Sequence, residues 1–132
     1  MRVIEEHVAA LHRRGVAARL VAAGSQEYVR TLVSEIPVPP WQASSHEILI
    51  AIPGPYDTAA LDGFYIALPH AFNGGNHPRV NGAVIELEGV NWQLVSWHYA
   101  DSRPWRQGQD DVDSHLTHCR GFFLQRGATN AR

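Results

Sequence analysis

Ser96 and His98 stand two residues apart in an apolar run, 92–99, and alternate residues of a strand share a face. A hydroxyl and an imidazole so placed are the parts of a nucleophile and its base, once a third group orients the ring. Asp101, Asp110 and Asp111 are carboxylates that could serve as that group. No Gly-x-Ser-x-Gly elbow occurs, which argues against a standard hydrolase, and in a Trp-rich setting His98 equally suits a packed structural role. His115 and Cys119 lie four residues apart and share a helix face, with His118 beside them. Zinc needs further ligands at tetrahedral distances, and His98 or His77 could be supplied only by folding, so a helix-surface histidine pair is the expectation and no metal set is assigned. Cys119 falls late in its helix between Leu116 and Phe123, where a thiol behaves as a small buried hydrophobe. Trp92, Trp97 and Trp105 read as core and loop anchors, or as an interaction surface where exposed.

The elements that must position these residues follow from periodicity. Residues 2–14 form an amphipathic helix with Val3, Ile4, His7, Val8 and Leu11 on one face, and Gly15 stops it. His7 is a core-edge residue on that stripe. Runs 16–22 and 27–34 make a hairpin around Gly24 and Ser25. The proline-rich stretch 35–45 is an extended connection. Two more strands follow, 46–52 with Ile48, Ile50 and Ile52 facing one way, and 63–68 with Phe64, Ile66 and Leu68 on one side. Residues 69–82 are irregular, and short apolar runs at 83–87 and 92–99 come next. A terminal helix is capped by Asp110 or Asp111 and has the core stripe Val112, Leu116, Cys119 and Phe123, with Arg120 and Arg126 towards its end. The expected architecture is α+β: an N-terminal helix, a four-stranded antiparallel meander, an irregular loop region and a C-terminal helix. Residues 1–126 are expected to form one domain and 127–132 a flexible tail.

Composition narrows the function classes. A chain of 132 residues with 45% apolar content is expected to fold as a single globular unit. A net charge of −2 with interleaved signs lacks the basic stripe that nucleic acid requires. No run approaches the roughly 18 apolar residues of a membrane span, and Glu5, Glu6 and His7 interrupt any secretory signal. One cysteine builds no disulfide framework, so a cytoplasmic protein is expected. All eleven basic residues are arginine. A GC-rich coding bias accounts for this; a surface without side-chain amines would also escape acylation.

Several of these segments together resemble the ubiquitin-conjugating-enzyme (UBC-like) fold. Pro53-Gly54-Pro55-Tyr56 resembles that fold's proline-rich turn, and Asn76-His77-Pro78-Arg79 partly echoes its His-Pro-Asn element. Trp92-Gln93, Ser96, His98, Trp105-Arg106, Gly108, Asp110-Asp111 and His115-Leu116 resemble the C-terminal signature of the prokaryotic conjugating-enzyme family E. The resemblance implies a pathway with a ubiquitin-like protein, a ThiF-type activating enzyme and a JAB-type peptidase, and no cofactor. Two departures stand out. The usual cysteine would fall near Ile85 or Glu86, where none stands, and Arg79 occupies the place of the oxyanion-stabilising asparagine. Within this signature His98 has the least evident structural duty, and its imidazole suits proton transfer in acyl transfer. Ser96 is the accompanying candidate. Trp92, Trp105, Arg79 and His77 are candidates for binding, with the two tryptophans expected to pin the loop between strand and helix. Asp110 and Asp111 are expected to be structural.

Three functions fit these residues. The first is a conjugation-pathway component that takes part in acyl transfer without the usual cysteine. The second is a non-catalytic adaptor of the same fold that binds a ubiquitin-like protein or its activating enzyme. The third is a small metal-dependent enzyme using His77, His98, His115 and His118.

Overall fold

The computed structural model describes residues 2–56 and 59–125. Helix α1, Val3–Arg13, starts where the Glu5 carboxylate accepts the Arg2 N–H at 2.8 Å. Acidic residues occupy its first turn and His12 and Arg13 its last, the order that complements the helix dipole. Ile4, Val8 and Leu11 are buried, whereas Val3 is 42% exposed. Successive helical residues are 100° apart, so once Ile4 aligns with Val8 and Leu11, Val3 turns away from the core.

Strands β1 (Arg19–Ala23), β2 (Gln26–Val33), β3 (His46–Ile52) and β4 (Phe64–Ala67) follow, then β5 (Val80–Leu87), β6 (Val90–Val95) and helix α2 (Val112–Leu124). The strands form one antiparallel sheet in the order β1-β2-β3-β4-β6-β5. The expected four-stranded meander is therefore corrected to six strands: the runs after the loop region add a hairpin to the sheet. That hairpin turns at Glu88 and Gly89, both at positive φ (56° and 75°), as a tight two-residue turn requires. Its second strand inserts beside β4, and β5 becomes the edge. The polar and small residues Asn81, Gly82 and Glu86 in β5 suit an edge and hide its periodicity. Gly82 lies at the register shift between Val80 and Val84, where a Cβ would come within 2.7 Å of Leu94. Only glycine lets the two backbones approach there.

Both helices cover one face of the sheet. Val29, Val33, Ile48, Ile50, Ile52, Phe64, Ile66 and Val95 pack there against Ile4, Val8 and Leu11 of α1 and Val112, Cys119, Phe122 and Phe123 of α2. The Tyr56 hydroxyl joins the two helices. It accepts the N–H of Val112 (2.8 Å) and shares a hydrogen bond with His7 Nδ1 (2.7 Å), which places His7 at the core edge. The other face holds a smaller cluster of Val21, Leu49, Leu87 and Trp92. Trp92 thus does not pin the strand-to-helix loop; it alternates onto the face away from the helices. Among the described residues, no helix is long and apolar enough to cross a membrane. Arg126 and the expected tail at 127–132 lie outside the described residues.

Candidate functional site

Residues 96–111 connect β6 to α2, and their position depends on one buried carboxylate. Asp110 is 2% exposed. It accepts both Arg103 Nη1 (3.0 Å) and Nη2 (2.9 Å), and also the backbone N–H of Arg106 at 2.6 Å. These bonds, the Arg103 pair first, hold Asp110 well below the usual carboxylate range. Asp111 performs a different task as the N-cap of α2, accepting the Ser114 N–H at 3.0 Å. The two carboxylates thus bond within the fold, one to the loop and the other at the start of the helix.

The folded loop packs rings against α2. Trp97 is 4% exposed and donates its Nε1–H to the His118 carbonyl at 2.9 Å. Tyr99 stacks on His118, with ring centroids 3.8 Å apart and planes within 8°. Trp105 meets Tyr99 edge-on at 5.9 Å. His115 is fully buried, so the expected surface histidine pair is corrected. Its position on the same helical stripe as Val112, Cys119, Phe122 and Phe123 turns it inward, and hydrogen bonds at both nitrogens compensate its burial. The outcome is a cleft of about 270 Å³ lined by Trp97, His98, Tyr99, Arg103, Thr117 and His118, among others.

His98 stands at this cleft with its side chain 61% exposed. Its Nδ1 meets Asp62 Oδ1 at 3.1 Å, and a carboxylate accepts only, so Nδ1 donates in this bond. Sequence reasoning missed Asp62, which precedes β4 and lies 36 residues from its partner. Ser96 is not joined to this pair. Its hydroxyl donates to Asn81 Oδ1 at 2.8 Å, and its carbonyl accepts from Arg79 Nη1 at 3.1 Å. Arg79 is thereby tied to the β6 end rather than to the cleft.

The remaining candidates lie elsewhere. Trp92 is fully buried on the opposite sheet face, and Ile85 of β5 packs beside it, with Glu86 exposed on the edge strand. Cys119 is completely buried, and burial pushes its thiol well above the ordinary value. His77 is 2% exposed, stacks on Trp41 with planes within 8°, and contacts Phe72 and Phe122. Its Nδ1 accepts the Arg79 N–H at 3.0 Å. Among the described residues, no three His, Cys, Asp or Glu side chains come together in an arrangement that could hold a metal ion.

Burial lowers the His77 pKa to about 4 from its ordinary 6.5. The unfolded chain therefore binds the proton first as pH falls, and His77 contributes stability above about pH 6.5 that is lost between pH 6.5 and 4. The loss from this ring is expected to reach about 3 kcal/mol. His46, His70 and His115 are shifted in the same direction, each chiefly by burial. Urea midpoints measured from pH 7.5 to 4.5 should fall steadily, and His77→Phe should flatten part of that slope. A slope unchanged in His77→Phe would contradict the assignment.

Searches of curated proteins and of solved structures found no match. A family model, by contrast, matches residues 3–125, from the first residue of α1 to the end of α2, and its description is Prokaryotic E2 family E. That span contains the sheet, both helices and every residue of the cleft. The chain belongs to the prokaryotic E2 family E, a family of E2-like conjugating enzymes.

Proposed function

We propose that this chain promotes acyl transfer in a bacterial ubiquitin-like conjugation pathway by supplying a base, His98, and holds no thioester of its own. Membership of an E2-like family supports its being a conjugation-pathway component. The observation that carries the finer reading is the pairing of an exposed His98 with Asp62 at an aromatic cleft, in a chain whose single thiol is sealed. The ubiquitin-like protein would arrive as a thioester on a partner, which in this reading is a ThiF-type activating enzyme. An acceptor amine adds to the thioester carbonyl, His98 Nε2 takes the proton that the amine loses, and the C–S bond breaks to release the partner's thiolate. An amide is formed and no oxidant or reductant is needed. A JAB-type peptidase would reverse the modification in the same pathway.

Ser96 is the less favoured acceptor because its hydroxyl is engaged with Asn81. His98→Ala in a reconstituted reaction with the ubiquitin-like protein, activating enzyme and ATP tests the reading directly, since wild-type rates in that variant would remove the base.

The absence of lysine gives a second test. Thr117 lies exposed on α2 at the edge of the cleft. Thr117→Lys is expected to create an acceptor, seen as an added ubiquitin-like mass on this chain. Arg13→Lys, on the last turn of α1, should gain far less. Equal modification at the two sites would mean that the cleft does not direct transfer.

One observation favours an adaptor instead. Where a conjugating enzyme would present its cysteine, this chain presents Ile85 packed on the second cluster and an exposed Glu86. An adaptor would bind the ubiquitin-like protein or its activating enzyme and leave transfer rates indifferent to His98. The metal-dependent reading is weakened because His77 is packed against Trp41, both nitrogens of His115 are engaged, and no metal-holding cluster occurs among the described residues.

A further inference from the structure

Asp62 and His98 are both more than half exposed, at 63% and 61% of their side chains. An ion pair or hydrogen bond in that setting is weak and does little to fix its own geometry. The residues on either side of the pair add to what holds it. One buried side chain reaches the residue that follows each member, the backbone of one and the side chain of the other. His115 donates its Nε2–H to the carbonyl of Gly63, the residue after Asp62, at 2.8 Å. Its Nδ1 accepts the hydroxyl of Tyr99, the residue after His98, at 2.7 Å.

The proton positions follow from the partners. The Gly63 carbonyl accepts only, so Nε2 carries the hydrogen, and Nδ1 is then free to accept from Tyr99. Protonation of His115 would place a second N–H against the Tyr99 oxygen and reverse that bond. Burial opposes it, and the ring stays neutral. Gly63 is also held at φ +65°, a backbone state that a side chain would strain, and a Cβ there would meet the Val95 carbonyl at 3.6 Å. The residue before His98 is fixed as well, because Trp97 is bonded to the His118 carbonyl of α2.

Resting on the reading of His98 as a base, we infer that His115 is the positioning residue of the His98–Asp62 pair: it clamps the residue that follows each member, so that α2 sets the direction of the His98 ring. Tyr99 is the second half of the clamp. Both residues act through their neighbours and neither needs to touch a substrate.

Tyr99→Phe is the informative variant, because it removes one hydroxyl and keeps the ring stacked on His118. The ring ¹⁵N shifts of His98 report its tautomer independently of any reaction. Wild type should show Nδ1–H in excess, with Nε2 carrying the lone pair. Asp62→Asn should abolish that excess, and Tyr99→Phe should reduce it towards the unbiased value. His115→Gln, whose amide can still reach the Gly63 carbonyl, should retain more of it than His115→Ala. In the transfer reaction Tyr99→Phe should lower kcat roughly tenfold or more with KM little changed, the signature of a misplaced base.

A wild-type ring with no tautomer preference would overturn the inference. So would a Tyr99→Phe ring identical to wild type while Asp62→Asn moves it. If the ring responds as expected but His98→Ala transfers normally, the clamp stands and the catalytic reading of His98 fails.

Discussion

Replacing His98 with alanine is expected to slow acyl transfer by roughly two to four powers of ten while leaving the thermal transition of the protein within a degree or two. The stability half of this expectation follows from exposure, since His98 leaves little buried contact behind when truncated. The kinetic half follows from its orientation. In the proposed reaction Nδ1 stays bonded to Asp62 while Nε2 takes the proton from an acceptor amine as the tetrahedral adduct forms. The effect should fall on kcat, because proton transfer is needed in the transition state and not for docking. Asp62→Asn should produce a smaller loss in the same direction, since the ring remains but its tautomer is no longer selected. Transfer rates for His98→Ala equal to wild type would leave the adaptor as the function of this fold.

Trp92→Ala carries the largest expected effect on stability, about 3–5 kcal/mol. Trp92 is fully buried and donates its indole N–H to the Leu87 carbonyl at 3.1 Å. The Arg30 guanidinium lies 5.1 Å above the ring. That arginine is itself held by Glu47 and Glu88 at 2.8 Å, and Arg19 binds Glu88 from β1. The result is a charged cover over the sheet face opposite the two described helices. Deleting the indole opens a cavity beneath the cover and leaves Leu49, Leu87 and Val21 without their largest neighbour. A urea titration should show a lower midpoint with an unchanged slope. A loss below about 1 kcal/mol would mean that Trp92 is a surface residue available for binding, which the sequence alone had also allowed.

How much of this could be read from the residues depended on how local the signal was. Helix α1, the first hairpin and the alternation of Ile48, Ile50 and Ile52 are set by contacts within a few residues, and periodicity reported them. The β5–β6 hairpin was less legible, because its turn is Glu88-Gly89 rather than Asn-Gly and its edge strand alternates poorly. Position 98 is exposed and makes a contact that spacing cannot show. Asp62 has no neighbour that marks it: Leu61 and Gly63 are ordinary flanks for a strand entry, and its partner is 36 residues away. His115 was closer to being readable. It shares the helical stripe of Cys119 and Phe122, which signals burial, but the polar ring suggested the surface until Tyr99 and Gly63 supplied its partners. Trp92 was misplaced for the same reason as Asp62: which face of a sheet a strand residue meets depends on the strand beside it.

The central claim is that the acyl group never rests on this chain, and intact-mass analysis during turnover tests it most directly. Wild type and Cys119→Ala would be incubated with the ubiquitin-like protein, its activating enzyme, ATP and an amine acceptor, and quenched without reductant. The expected result is faster loss of the partner's thioester in the presence of either protein, no mass added to either, and no acceleration by His98→Ala. A ubiquitin-like adduct on wild type that disappears in Cys119→Ala, or in Ser96→Ala, would contradict it and would place the acyl group on this chain.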